Sequence, residues 1–180
     1  VAALASDGYD AVITGCATCG SSLLKEYGHV LHDDRSLAAW QGMNGKVMDV
    51  ADFLLRLGPL PYSHNVPLTV TYHDACHLVR GMGVSKQPRS LIRAIPGLRF
   101  KEMNRADVCC GCAGTFSATH YGLSQQILAD KVDDIMATGA DAVVTGCSAC
   151  KMQILDGLAH RGARTRVLHT VELLSKGYGL

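Results

Sequence analysis

The sequence has almost no net charge to offer a partner: 17 Lys and Arg stand against 16 Asp and Glu, for +1 overall, and no basic run appears. That argues against a nucleic-acid or anionic-membrane surface as the main partner. No apolar run approaches the roughly 18 residues needed to cross a bilayer. No signal peptide is visible either, so the protein is expected to be soluble. The sequence shows no Ser/His/Asp arrangement and no dinucleotide fingerprint, and Gly81-Met82-Gly83 is too short for a phosphate loop.

Cysteine is what the sequence has in abundance, with eight in 180 residues. A disulfide framework suits short secreted chains with small cores, whereas this chain is long enough for a real core and carries long apolar periodic segments. A cytoplasmic metal or cluster site is the better reading. Cys109, Cys110 and Cys112 crowd into Val108-Cys109-Cys110-Gly111-Cys112-Ala113-Gly114-Thr115. Adjacent cysteines hardly bridge each other, because bridged Cα atoms prefer about 5.5 to 6 Å and consecutive ones lie about 3.8 Å apart. As thiolates they can converge on one metal. Gly111 and Gly114 permit positive φ, and Thr115 stands as an N-cap for the following helix.

Cys76, in Tyr72-His73-Asp74-Ala75-Cys76-His77, and the pair Cys147 and Cys150 complete the pattern C-x32-C-C-x36-C-x-x-C. Two metal chemistries suit these five: zinc on four thiolates, or an iron-sulfur centre. Zinc has no use for a fifth thiolate, which favours iron-sulfur. Cys112 lies outside the pattern and reads as a small buried hydrophobe.

Residues 9–20 reappear as residues 140–151 at a constant offset of 131, sharing Asp-Ala-Val-(Ile or Val)-Thr-Gly-Cys-x-x-Cys. The alignment continues back through Ala5-Ser6-Asp7-Gly8 to Val1, and residues 46–58 resemble 166–177 at a slightly shorter offset. This is an internal duplication. The expected fold is α/β, with two duplicated Rossmann-like parallel-sheet units of which the first is truncated: residues 1–60 form the end of one repeat and 66–180 a complete second one. Val1-Ala-Ala-Leu-Ala reads as the middle of a helix, so a longer parent chain is expected. Strands are expected at Asp10–Thr14, Leu68–Tyr72, Leu98–Glu102, Asp141–Thr145 and Arg166–Leu168. Helices are expected near Ser21–Leu31, Gln87–Ile95, Phe116–Ala137, Lys151–His160 and, after the last strand, through about Ser175, with Leu123, Ile127, Val132 and Ile135 near helical spacing in the longest. Each C-x-x-C then lies between a strand's carboxyl end and a helix's amino end, where ligands bind and thiolate is favoured. Cys16 and Cys19 are half of a second site.

His73, His77 and His120 flank these loops and could hydrogen-bond a sulfur or relay protons, or stand as satisfied loop histidines. Asp74 reads as an Asx-turn former. Arg80, Lys86 and Arg89 read as scattered charges, open to an anionic partner or to none.

His73-Asp74-Ala75-Cys76-His77, Gln87-Pro88-Arg89, Ile95-Pro96-Gly97-Leu98 and Cys109-Cys110-Gly111-Cys112-Ala113-Gly114-Thr115-Phe116 resemble the cysteine-rich CCG domain family. That domain occurs in heterodisulfide reductase and in iron-sulfur subunits of lactate and glycolate oxidation. The resemblance implies a 4Fe-4S cluster, of noncubane type in heterodisulfide reductase, held by Cys76, Cys109, Cys110, Cys147 and Cys150. It implies electron transfer from a flavoprotein dehydrogenase subunit, alongside other iron-sulfur subunits, in a cytoplasmic protein that partners can bring to the membrane's inner face. Two other functions stay open: a disulfide reductase, which the complete Cys147-x-x-Cys150 matches, and a zinc-stabilised assembly module. In an aerobically prepared sample the site is expected to be empty, oxidised or filled by zinc.

Overall fold

The β-branched runs become strands, and in the computed structural model, which describes residues 1–5 and 8–180, they form two parallel sheets. The smaller pairs β1 (Val12–Thr14) with β2 (Val47–Asp49). Between them run α1 (Ala17–Ser21), a π-helical turn over Ser22–Glu26, α2 (Tyr27–Val30) and α3 (Asp34–Asn44), and α4 (Val50–Arg56) follows β2. Trp40 of α3 donates its indole N–H to the Leu23 carbonyl at 2.6 Å, closing this unit on itself.

The larger sheet has the order β4-β3-β5-β6, built from β3 (Thr69–His73), β4 (Arg99–Phe100), β5 (Ala142–Thr145) and β6 (Arg166–His169). A π-helical turn (His77–Gly81) and α5 (Lys86–Arg93) connect β3 to β4. The chain then crosses through α6 (Phe116–Thr119) and α7 (Tyr121–Ala137) to β5, and α8 (Ser148–His160) and α9 (Thr170–Tyr178) follow β5 and β6. It thus leaves β3 in one direction for β4 and returns to β3's other side with β5. In open parallel sheets that reversal opens a crevice at the carboxyl ends.

Successive strand residues face opposite sides, and β5 shows it. Val143 packs among Leu128, Val132, Ile135, Ile154 and Leu158 of α7 and α8. Ala142 and Val144 face Leu91, Ile92, Leu173 and Leu174 of α5 and α9. With both faces covered, the strands need continuous apolar runs, and each fully buried Val or Leu stabilises by about 1.5–3 kcal/mol.

The duplication survives in three dimensions. Asp49 ends β2 and caps α4 by accepting from the Ala51 amide at 2.8 Å, while His169 ends β6 and caps α9 by accepting from the Val171 amide at 3.3 Å. The Ser6 and Asp7 part of the repeat lies outside the described residues.

Some expectations need correction. Val1–Ala5 forms a hydrogen-bonded turn rather than a helix, with the Leu4 and Ala5 amides both donating to the Val1 carbonyl. The C-x-x-C helices begin earlier than Ser21 and Lys151, at Ala17 and Ser148, because the cysteine turns are themselves the first helical turns. The long helix expected from Phe116 breaks at His120, whose φ of −129° and ψ of 48° are not helical. Its buried face is Ser124, Leu128, Lys131, Val132, Asp134 and Ile135, while Leu123 is 51% exposed. The break re-aims α7 so that Ser124 reaches the cysteine loop, which a straight helical repeat does not foresee.

Candidate metal centre

Three segments deliver cysteines to the crevice between β3 and β5. Cys76 starts the π-helical turn just beyond β3, Cys109 and Cys110 lie on the loop after β4, and Cys147 caps α8 just beyond β5. Cys150 follows in the first turn of α8. The central loop is shaped by backbone that few residues tolerate: Gly111 has φ +86° and Gly114 φ +61°, with Ala113 between them at +41°. At Gly111 a side chain is excluded twice, since a Cβ there would also lie 2.5 Å from the Ser124 carbonyl oxygen. The Ser124 hydroxyl donates to the Gly111 carbonyl at 2.9 Å and pins the loop to α7. Thr115 precedes α6 without capping it through its side chain.

The sulfurs sit close enough to divide protons among themselves. Hydrogen bonds from Cys109 and Cys150 pull Cys110 strongly toward thiolate, with a further contribution from His73. Cys109 and Cys150 are correspondingly pushed up and keep their protons, and Cys76 adds its charge at Cys109. Cys147 is pulled down to about 4, first by Cys150, then by the Thr18 hydroxyl and by the Cys150 and Ala149 amides at the start of α8. Two thiolates therefore stand ready among five gathered thiols, a soft and electron-rich donor set.

His73 completes the group in a way sequence reasoning only half anticipated. It ends β3, is 1% exposed, and has no hydrogen-bond partner at either ring nitrogen. A ring nitrogen lies within 4.8 Å of the sulfurs of both Cys110 and Cys150. The buried hydroxyls of Thr71 and of Thr145, which pairs with His73 across β3 and β5, are also unpartnered. An unsatisfied buried polar group costs about 1–3 kcal/mol, so a cluster of them at a strand reversal points to a polar or metallic occupant. An iron-sulfur group fits these donors, with thiolates as ligands and His73 at hand to donate to sulfur.

The other candidates divide. His77 lies 3.9 Å from the Cys76 sulfur through Nδ1. His120 is exposed, bonded to the Thr119 hydroxyl and stacked on Phe116, outside the group. Cys112 is half-buried against the core, and burial pushes its thiol up. Cys16 caps α1 beside the exposed Cys19, whose thiol is pushed up first by the charge of Cys16 and then by the hydrogen bond between them.

Asp74 and Arg89 are neither a simple turn former nor a scattered charge. Arg89 grips both Asp74 carboxylate oxygens at 2.7 and 2.8 Å and both Glu102 oxygens at 2.7 and 2.8 Å, and lies 5.1 Å over the Tyr72 ring. This fork fixes the turn carrying Cys76. Lys131, 1% exposed, donates to the Arg105 carbonyl and holds the segment leading to Cys109. A lysine in the apolar stripe of α7 was the available signal for it; the Asp74–Arg89 pairing spans 15 residues and had none.

Comparison with known proteins places these features. A family model described as "Cysteine-rich domain", CCG, matches residues 70–155. Over 97% of its length the chain is 35% identical to a fumarate reductase (CoM/CoB) subunit of Methanothermobacter marburgensis, covering 34% of that protein. It is 36% identical over 99% of its length to a probable glycolate oxidase iron-sulfur subunit of Bacillus subtilis, covering 41% of it. It is also 32% identical over 91% of its length to lactate utilization protein A of Bacillus cytotoxicus, covering 69% of it. The chain thus spans between about a third and two fifths of the first two relatives.

Proposed function

Because this chain belongs to the CCG cysteine-rich domain family, we propose that it is the iron-sulfur electron-transfer part of a lactate or glycolate dehydrogenase complex. Cys76, Cys109, Cys110, Cys147 and Cys150 would hold a 4Fe-4S cluster, and Cys16 with Cys19 would supply half of a second site. The observation that carries the reading is the gathering of the five thiols at the strand reversal, two of them pulled toward thiolate, with the orphaned His73 ring beside Cys110 and Cys150. Bound there, the cluster supplies one-electron redox chemistry.

The protein's own groups do the rest. The buried thiolates would carry the ligation, with the amides at the start of α8 offsetting charge at Cys147 and His73 placed to donate to a sulfur of the bound group. The sheet and its two helical layers keep water from Cys110 and Cys147, which are 1% and 2% exposed. Electrons would come from a flavoprotein dehydrogenase subunit and pass to further iron-sulfur subunits, in a cytoplasmic assembly peripheral to the membrane. No helix among the described residues is long and apolar enough to cross one.

A second reading is a subunit that cleaves a small disulfide at a noncubane cluster. It is favoured by the likeness to the fumarate reductase (CoM/CoB) subunit and by the complete Cys147-x-x-Cys150. Anaerobic reconstitution with iron and sulfide tests the common part. With Cys16 and Cys19 both replaced by Ser, about four irons per chain and a reducible signal are expected, as for a thiolate-held 4Fe-4S cluster. Failure of that variant to bind iron would mean the five-cysteine site does not stand by itself. Tight zinc binding with no reducible iron would instead identify a zinc-stabilised module.

A further inference from the structure

The two C-x-x-C turns touch each other. The amide of Ala17, in the first, donates to the carbonyl of Gly146, just before the second, at 2.9 Å. Next to that seam the Thr18 hydroxyl lies 3.5 Å from the Cys147 sulfur and 3.4 Å from His77 Nδ1. The site at Cys147 is thus reached by a side chain 129 residues away in sequence. At the 131-residue offset Thr18 corresponds to Ala149, so the equivalent position of the duplicated turn carries no hydroxyl.

The direction of these contacts follows from the chemistry of the partners. A thiolate has no proton to give, so between Thr18 and a Cys147 thiolate only the hydroxyl can donate. Its oxygen is then free to accept from His77 Nδ1–H, giving the relay His77 N–H to Thr18 O–H to Cys147 sulfur. Cys76, 3.9 Å from the same Nδ1, lies at the far end of the relay. The hydroxyl joins two cysteine segments of one centre through a residue of the other repeat.

We propose that Thr18 is a positioning residue that donates a hydrogen bond across the repeat boundary to the Cys147 thiolate and thereby raises the reduction potential of the centre Cys147 helps to hold. The proposal rests on the five-cysteine reading above and deepens it. Reduction adds negative charge to the centre and its sulfurs, so a hydrogen bond donated to a thiolate stabilises the reduced form more than the oxidised one. Loss of the hydroxyl lowers the potential without removing a ligand.

The test compares Thr18→Val, which keeps the shape and loses the hydroxyl, with Thr18→Ser, which keeps the hydroxyl, in the full chain reconstituted anaerobically with iron and sulfide. Iron per chain, the midpoint of an electron-paramagnetic-resonance redox titration, and coupling to a deuterium-exchangeable proton are measured. Thr18→Val is expected to bind as much iron as the parent, to titrate at a more negative potential and to lose one exchangeable-proton coupling. Thr18→Ser is expected to match the parent in all three. An unshifted midpoint in Thr18→Val overturns the proposal, and so does loss of its iron, which would make Thr18 a structural residue. Cys147→Ser is the control for the underlying reading. If that variant keeps full iron and an unchanged signal, the ligand assignment itself falls; if it loses iron while Thr18→Val behaves as the parent, only the role of Thr18 falls.

Discussion

Replacing Arg89 by Met leaves the Asp74 carboxylate, only 8% exposed as a side chain, without its forked partner. Breaking a buried ion pair by removing one member costs about 3–5 kcal/mol, because the remaining charge stays desolvated. The exposed half of the network adds little: the Glu102 side chain is 45% exposed, and such pairs contribute about 0–1 kcal/mol. The guanidinium over Tyr72, 5.1 Å from the ring centre, is worth about 1 kcal/mol, within the spread of that figure. Urea unfolding followed by circular dichroism should therefore show a loss of about 3–5 kcal/mol. In a domain of this size that lowers the melting temperature by about 6–20 °C. The double variant Arg89→Met with Asp74→Asn removes the stranded charge and should recover more than half of the loss. A single variant costing under about 1 kcal/mol, or a double variant no better than the single, would refute the claim that this fork holds the Cys76 turn.

Further outcomes are expected. Cys110→Ser should lower bound iron and abolish the redox signal while Cys112→Ser leaves both largely intact, measured by metal analysis and spectroscopy; equal losses would mean the ligands are misassigned. His73→Ala should reduce iron retention on dilution and His120→Ala should not, since His73 lies by the sulfurs of Cys110 and Cys150 while His120 is bonded to Thr119 instead; losses of groups that hydrogen-bond metal ligands are about 10–100-fold in affinity. Asp49 is 3% exposed, and burial raises its carboxyl to about 6 from the ordinary 3.8. Its proton is thus bound more tightly in the folded chain, a stabilisation complete below pH 3.8 and lost as pH rises through about 6. Asp49→Asn, which keeps the cap's acceptor, should therefore exceed the parent's stability by about 3 kcal/mol at neutral pH and match it near pH 3.5, at about 1.4 kcal/mol per pKa unit. Urea midpoints at both pH values decide this, and a gap independent of pH would exclude Asp49 as its cause.

What could be read from the sequence was what is local. The cysteine spacing, the strands at 142–145 and 166–169, and the positive φ of Gly111 and Gly114 all follow from side-chain chemistry and turn geometry within a few residues. The placement of each C-x-x-C at a strand end followed from the duplication, because Thr14-Gly15-Cys16 and Thr145-Gly146-Cys147 share one strand-to-helix turn. Hidden from it were the features that depend on distant chain segments meeting. In sequence His73 reads equally as a group beside a sulfur or as a satisfied loop histidine, and only when β5 is laid beside β3 is it seen buried without a partner. Thr18 is one small residue within a turn until the second turn is brought against it. The break at His120 escaped for a related reason: apolar residues continue at helical spacing through it, and only the demand of the Gly111 loop for Ser124 explains the change of course.

Trp40 is the only tryptophan in the chain, and its indole is tied to Leu23 within the β1–β2 unit. Intrinsic fluorescence excited at the indole band is therefore an optical tag on that unit alone, blind to events at β3–β6. Circular dichroism averages over both. Overlaying the two denaturation curves asks whether the seam at Ala17 and Gly146 fuses the units: coincident transitions mean one cooperative fold, and an earlier fluorescence transition means the smaller unit melts away first.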